Sequence, residues 1–340
     1  MGRQFCTAVL CTKVTPACWG AAIRWLVKQA ETRPDPEMVP AVALLLGAAA
    51  AAAAEWKQDR FVISMCNDPI VAPEQLAFRY REMADANFTL VSSTAWLSIG
   101  KWDDATRMAH AQTSLRAAEA AGIALIGAVM GGYDNITDDI HANSSLLDSD
   151  SPALWGWLLA DEPCPREQFY ALQRERAQID AHRPGKLSFV NLLPNYGFPR
   201  ATLGWDTYEQ YVDFFIEEYK PQVLCFDHYP WFEVGDSAPF NPPTWAYPLS
   251  TLDGYRRNLA TVRSRALAND IPFWNYFNTI PYQSHRDPTF GELCWQVFTS
   301  LTFGAKGVLY FTYWDDPDGQ HYGFGNSIIT RRALPDTYNQ

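Results

Sequence analysis

From residue 61 onward the chain repeats one pattern. A short run of apolar, β-branched or aromatic residues is followed by a longer stretch whose apolar positions recur at helical spacing. The short runs are 61–66, 89–92, 124–129, 156–160, 187–192, 223–227, 272–276 and 307–312. The helical stretches are 74–86, 104–121, 166–181, 207–219, 252–269 and 289–303. Near-continuous apolar strands alternating with helices predict a parallel sheet buried on both faces. Eight strands in about 250 residues are the count of a (β/α)8 TIM barrel. A doubly wound sheet would usually carry a Gly-rich nucleotide loop after its first strand, where this chain has Cys66-Asn67-Asp68-Pro69. Little sequence follows the eighth strand, so a missing or shortened last helix is expected.

The first 55 residues break the pattern. Residues 1–30 hold Arg3, Lys13, Arg24 and Lys28 and no acid, and an Ala-rich apolar run fills 39–54. That run is short for a membrane span, which needs about twenty residues, but it suits the core of a signal peptide or signal anchor. Met38 directly precedes it, so a start at Met38 is one reading and a membrane tether through 39–54 another. A buried Ala-rich helix is the third. The expected organisation is an N-terminal extension, 1–55, and one barrel domain, 56–340. Three sequons, at Asn87, Asn135 and Asn143, agree with a secreted or endomembrane glycoprotein.

Charge and composition narrow the chemistry. With 27 Lys+Arg against 38 Asp+Glu, no basic surface for a nucleic acid is expected. The seven cysteines contain no CxxC pair, so neither a zinc nor a redox framework is indicated, though Cys66, Cys164 and Cys225 could pair in an oxidising compartment. No cofactor is expected. The oligomeric state is not readable from these residues. The 13 Trp, 16 Tyr and 19 Phe exceed what a core of this size needs, and some of these rings are expected to line a ligand surface.

In a barrel of this kind chemistry sits at the C-terminal ends of the strands. Those ends bring together Asp161 and Glu162 (fourth strand), Asn191 (fifth), and Asp227, His228, Tyr229 and Trp231 (sixth). The seventh adds Trp274, Asn275 and Asn278, and the eighth Tyr310 and Trp314. Acids, amides and rings on one rim suit a carbohydrate, since carboxylates and amides bind hydroxyls and rings stack on sugar faces. The aromatic, Pro-rich stretch 229–249, with Trp231 and Trp245, is expected to extend that platform. Glycoside cleavage needs a carboxylic acid for the leaving oxygen and a second carboxylate as nucleophile or base. Glu162, desolvated beside Trp157, is expected to have the raised pKa of an acid. A helix-terminal acid ahead of Pro163 is its structural alternative. Asp161, Glu162, Asp227 and His228 could also ligate a metal, but no HExxH or His-x-His spacing supports one.

Ala160-Asp161-Glu162-Pro163 resembles the fourth-strand Asn-Glu-Pro motif of the clan A glycoside hydrolases. Residues 292–314, with Gly304-Ala-Lys-Gly307 and Tyr310-Phe-Thr-Tyr-Trp314, resemble the last helix and strand of their β-galactosidase-like members. The resemblance implies that Glu162 is the general acid/base of a glycosidase acting on a glycan. Two positions depart from that pattern. Asp161 replaces the usual Asn, and the segment 274–281 around the end of the seventh strand has no carboxylate, with Asn278 about where the nucleophilic Glu would stand. Asp227 is the first choice for the second carboxylate, ahead of Asp315 and Asp316. A degenerate barrel that binds carbohydrate without hydrolysing it, and a metal-dependent hydrolase or lyase, are the alternatives.

Overall fold

The computed structural model describes residues 55–69, 71–93, 104–128, 150–197, 204–232, 251–282, 285–314 and 327–328. The leader at 39–54, Asn135, Asn143, Trp245, Asp315 and Asp316 lie outside these residues. The chain divides into two units, Met1–Glu55 and Trp56–Gln340. Among the described residues no helix is long and apolar enough to cross a membrane.

The second unit is built on a closed barrel of eight parallel strands in sequential order. These are β1 (Val62–Cys66), β2 (Leu90–Ser93), β3 (Ala124–Ala128), β4 (Leu154–Asp161), β5 (Leu187–Leu192), β6 (Leu224–Asp227), β7 (Phe273–Asn278) and β8 (Gly307–Phe311). Six helices are described: α1 (Pro73–Asp85), α2 (Asp104–Ala121), α3 (Arg166–His182), α4 (Tyr208–Tyr219), α5 (Leu252–Ala268) and α6 (Phe290–Thr302). The eight-strand barrel is as the apolar pattern predicts, and the stretch where a last helix would fall, 315–340, lies outside the described residues except for 327–328. Local chemistry starts the helices. Thr207 and Thr251 cap α4 and α5 through their side chains, and Thr289 and Glu292 form a capping box on α6.

The alternation of side chains along each strand sorts the apolar residues into two layers. One lies inside the barrel and includes Val62, Leu90, Ile126, Phe189, Cys225, Trp274, Tyr276 and Leu309. The other lies between sheet and helices and includes Met65, Leu76, Tyr80, Trp157, Phe169, Phe215, Phe226 and Leu259. Trp274 fills the bottom of the interior. Its indole packs near Trp56 and Phe189, and its Nε1 donates to Gln58 Oε1 at 3.0 Å. Gln58 in turn donates to the Lys306 carbonyl, so the segment entering β1 closes the barrel from below. Gly156 permits the approach of β4 to β5, where a Cβ would lie 1.9 Å from the Leu187 oxygen.

This closed bottom leaves the upper, C-terminal ends of the strands as the polar end of the interior. Ser92, Asp161, Asn191, Asp227 and Asn278 gather there.

Candidate active site

The register of β4 decides which acids enter the barrel. Pairing with β5 shifts between Leu158 and Ala160. Leu158 belongs to the interior layer and Ala160 to the helix-side layer, so the irregularity reverses the parity and turns Asp161 inward. Asn191 Nδ2 then donates to Asp161 Oδ1 at 2.9 Å and to Asp227 Oδ1 at 3.1 Å. One amide thus ties the ends of β4 and β6 together from β5 between them.

Glu162 follows with φ 51°. A side chain other than glycine held in the left-handed region costs about 1–3 kcal/mol and persists only where surrounding bonds over-determine it. Here the Glu162 N–H donates to the Asn191 carbonyl at 2.8 Å, and the Cys164 thiol donates to the Glu162 carbonyl at 3.2 Å. The strained backbone delivers the Glu162 carboxyl to Asp227, with which it hydrogen-bonds.

Burial raises the proton affinity of all three carboxyl groups, and the charge of Asp161 adds to it at Glu162 and those of Glu162 and Asp161 at Asp227. Burial and the charge of Asp161 push Glu162 up to about 7. Burial, then the charges of Glu162 and Asp161, push Asp227 well above the usual carboxylate range. Burial also raises Asp161, against the pull of the Asn191 hydrogen bond. The hydrogen bond between Glu162 and Asp227 lowers Glu162 and raises Asp227, so the pair holds one proton above neutral pH, carried by Asp227 and accepted by Glu162. Trp157 points into the sheet–helix layer, so burial and Asp161 take the part expected of that indole.

Tyrosines close the site around the pair. Tyr196 is raised by burial and by the charges of Asp227 and Glu162, and Tyr229 and Tyr282 by burial and by Asp227 and Asp161 among others. The Tyr229 ring stands edge-on to Tyr282 at 5.6 Å and packs with Phe311 at 5.5 Å. His285 stacks on Tyr282 at 4.5 Å, and burial lowers its pKa to about 4. Sequence reasoning did not single out Tyr196, Tyr282 or His285 as site residues. The first stands in the string after β5, but the others lie on a connection whose fold back over the rim leaves no periodic signal.

Not all of the rim residues read from the sequence meet here. Asp161, Glu162, Asn191, Asp227 and Tyr229 do, and Asn278 ends β7 on its inward face, fully buried, with neither amide atom bonded. His228 turns outward. Its Nδ1 lies 3.1 Å from Asn258 Oδ1, which also accepts from the Asn195 N–H, so Nδ1 is the donor. Burial lowers the His228 pKa to about 3, so the ring is neutral and positions β6 against α5. Trp274 is at the barrel bottom rather than the rim. Asn275 faces the helices, donating to Tyr255 at 2.7 Å and to Ser300 at 3.1 Å. Tyr310 lies on the outer face of β8 against Phe88 and Phe277. Trp231 is buried against Trp295, beneath the Arg286 guanidinium, and Trp314 is buried with the sheet–helix layer. Among the described residues the rings nearest the carboxyl groups are those of Tyr196, Tyr229 and Tyr282, and most of the aromatic stretch 229–249 lies outside them. Cys66, Cys164, Cys225 and Cys294 are all free thiols, so the pairing that was open to the first three is not formed. Among the described residues no group of His, Cys, Asp and Glu could hold a metal ion.

No family model matches the chain, and no curated protein does. Solved structures do. A protein assigned as an alpha-L-fucosidase of Bacteroides thetaiotaomicron is similar with a TM-score of 0.54 at 10% identity, over 79% of this chain and 92% of that one. A hyperthermophilic endo-beta-1,4-glucanase has a TM-score of 0.46 at 11% identity, over 81% and 94%. A truncated 3-deoxy-D-arabino-heptulosonate 7-phosphate synthase of Thermotoga maritima has 0.45 at 11%, over 80% and 82%. The first likeness is one of barrel fold, and the other two are too distant to carry an argument.

Proposed function

We propose that the protein is a glycoside hydrolase in which Glu162 is the general acid/base and Asp227 the second carboxylate. The observation that carries this reading is the hydrogen-bonded Glu162–Asp227 pair at the mouth of the barrel, with Glu162 raised to about 7. An acid catalyst at neutral pH needs such a value. Passage of the shared proton from Asp227 through Glu162 to the leaving glycosidic oxygen leaves Asp227 as the anion that attacks the anomeric carbon. Glu162 then takes a proton from water, whose oxygen displaces Asp227 and restores the pair. The barrel's likeness in fold to a protein assigned as a glycosidase supports the reading without identifying a substrate.

Carboxyl groups in hydrogen-bond contact are closer than the roughly 5–5.5 Å of a retaining pair, and far closer than the roughly 6.5–9.5 Å that leaves room for water in an inverting one. The smaller of the two gaps is the nearer to this contact, so retention is the stereochemical outcome we propose. The same close contact favours a second reading, a barrel that binds carbohydrate without cleaving it. Aryl release from 4-nitrophenyl glycosides separates the two. Hydrolysis by the wild type, reduced about 100- to 10,000-fold in Glu162→Gln, is the expected result. Sugar binding with no turnover supports the second reading, and turnover undiminished in Glu162→Gln overturns the first.

A further inference from the structure

Asn191 touches every member of the acid cluster. Like Phe189 it lies on the inward face of β5, and it pairs with Asp161 of β4 on one side and with Cys225 of β6 on the other. Its Nδ2 donates one proton to Asp161 Oδ1 at 2.9 Å and the other to Asp227 Oδ1 at 3.1 Å. Its main-chain carbonyl accepts the Glu162 N–H at 2.8 Å, the bond that helps to hold the left-handed backbone there. The residue is 5% exposed, and its Oδ1 is buried without a bond. Charge fixes which way the amide points. Turned over, it would set Oδ1 against two carboxyl oxygens, and an ionised carboxylate has no proton to offer it.

We propose that Asn191 is a positioning residue rather than a ligand of the sugar. It holds Asp161, Glu162 and Asp227 in one arrangement and has neither amide proton left for a hydroxyl. An amide suits this task where a charged group would not. An ammonium or guanidinium in its place would favour both anions strongly and draw the proton out of the Glu162–Asp227 pair. A fourth carboxylate would repel the other three. The neutral donor orients two carboxyl groups and moderates the affinity that burial gives them. Tyr196, Tyr208, Cys225, Tyr229, Tyr276 and Tyr282 also face these carboxyl groups, and burial raises each of them, so they stay neutral where the carboxyl groups titrate. The role in catalysis rests on the glycoside-hydrolase reading, whereas the hold on the carboxyl groups stands on the hydrogen bonds alone.

Two variants of the full chain test this. Asn191→Leu keeps the size of the side chain and removes its donors, and Asn191→Ser keeps one donor and is read by the same criteria if Leu does not fold. Infrared titration follows the C=O stretch of protonated carboxyl groups, with the spectrum of Asp161→Asn subtracted to isolate Asp161. Loss of a hydrogen bond to a charged group should move that titration up by about one to two pH units in Asn191→Leu, and by less in Asn191→Ser. An unmoved titration overturns the inference. On the 4-nitrophenyl glycoside that the wild type cleaves fastest, Asn191→Leu should lose kcat by about 10- to 100-fold with KM within about threefold. A KM raised about tenfold or more at unchanged kcat marks a ligand of the sugar and overturns the inference, as do unchanged kinetics, and either result leaves the hydrolase reading intact. If the wild type cleaves no glycoside, that reading fails, and the infrared titration decides whether Asn191 holds the carboxyl groups.

Discussion

Replacing Glu162 by Gln should strengthen the fold as it removes activity. In the native state Glu162 is pushed from the usual 4.5 to about 7 by burial and by Asp161. A group whose proton affinity is raised on folding contributes stability that is full below its unfolded pKa, about 4.3, and lost as pH rises towards the folded value. At 1.36 kcal/mol for each tenfold change in affinity, the loss between pH 4 and pH 8 has a ceiling of about 3 kcal/mol. Because the proton is shared with Asp227, the working figure is about 1–3 kcal/mol. Gln keeps the size and the strained backbone of Glu162 and can donate to an ionised Asp227, so the difference isolates the charge. The assay is urea unfolding of both proteins at intervals from pH 4 to pH 8.5. The two curves should coincide at pH 4, with the variant more stable by that amount at pH 8. A variant equally or less stable than the wild type at pH 8 would refute the buried-pair account.

Other consequences follow from the same structure. Under the hydrolase reading kcat/KM should rise as pH increases through about 7, where the pair sheds the first of its two protons, and fall only at higher pH, where Asp227 gives up the last; a rate already falling between pH 6 and pH 7 contradicts it. Glu175, on the inward face of α3, is buried with neither carboxyl oxygen bonded, and burial raises it to about 8 despite Arg174. Its contribution to stability is therefore lost as pH rises from about 4.3 towards 8. Glu175→Gln should gain about 1–3 kcal/mol at pH 8 and little at pH 4, and melting curves at the two pH values check this. Gly156→Ala drives a methyl group into the Leu187 carbonyl and should cost about 3 kcal/mol or more. Unfolding at an unchanged urea midpoint would show that β4 and β5 are looser than described. Asn87 is exposed in the turn before β2, so on secretion from a eukaryotic cell it should carry a glycan whose mass is lost in Asn87→Gln.

Apolar runs and helical spacing foretold the barrel because the strands are buried on both faces and helices such as α4 and α6 show a clear apolar face, although α2 shows almost none. That double burial also hid the parity of the strands. In β7 the residues Phe273–Asn278 are buried throughout, so nothing in their order distinguishes inward Trp274 and Asn278 from outward Asn275. The irregularity in β4 reverses parity one residue before the acids, and the string Leu-Leu-Ala-Asp-Glu gives no sign of it. The acids themselves were legible because charge at the end of an apolar strand has few structural uses. Tyr282 and His285 were not, since they reach the rim by the course of a connection rather than by strand register.

The central claim is that Glu162 and Asp227 form the working pair, with Asp227 taking the sugar. Incubation with the 5-fluoroglycosyl fluoride of a sugar that the protein cleaves, followed by peptide mass spectrometry, tests it most directly. The account predicts one glycosyl adduct per chain, on the peptide carrying Asp227, and none in Asp227→Asn. Cleavage of the parent glycoside with an adduct on another carboxylate, or with no adduct at all, would contradict it.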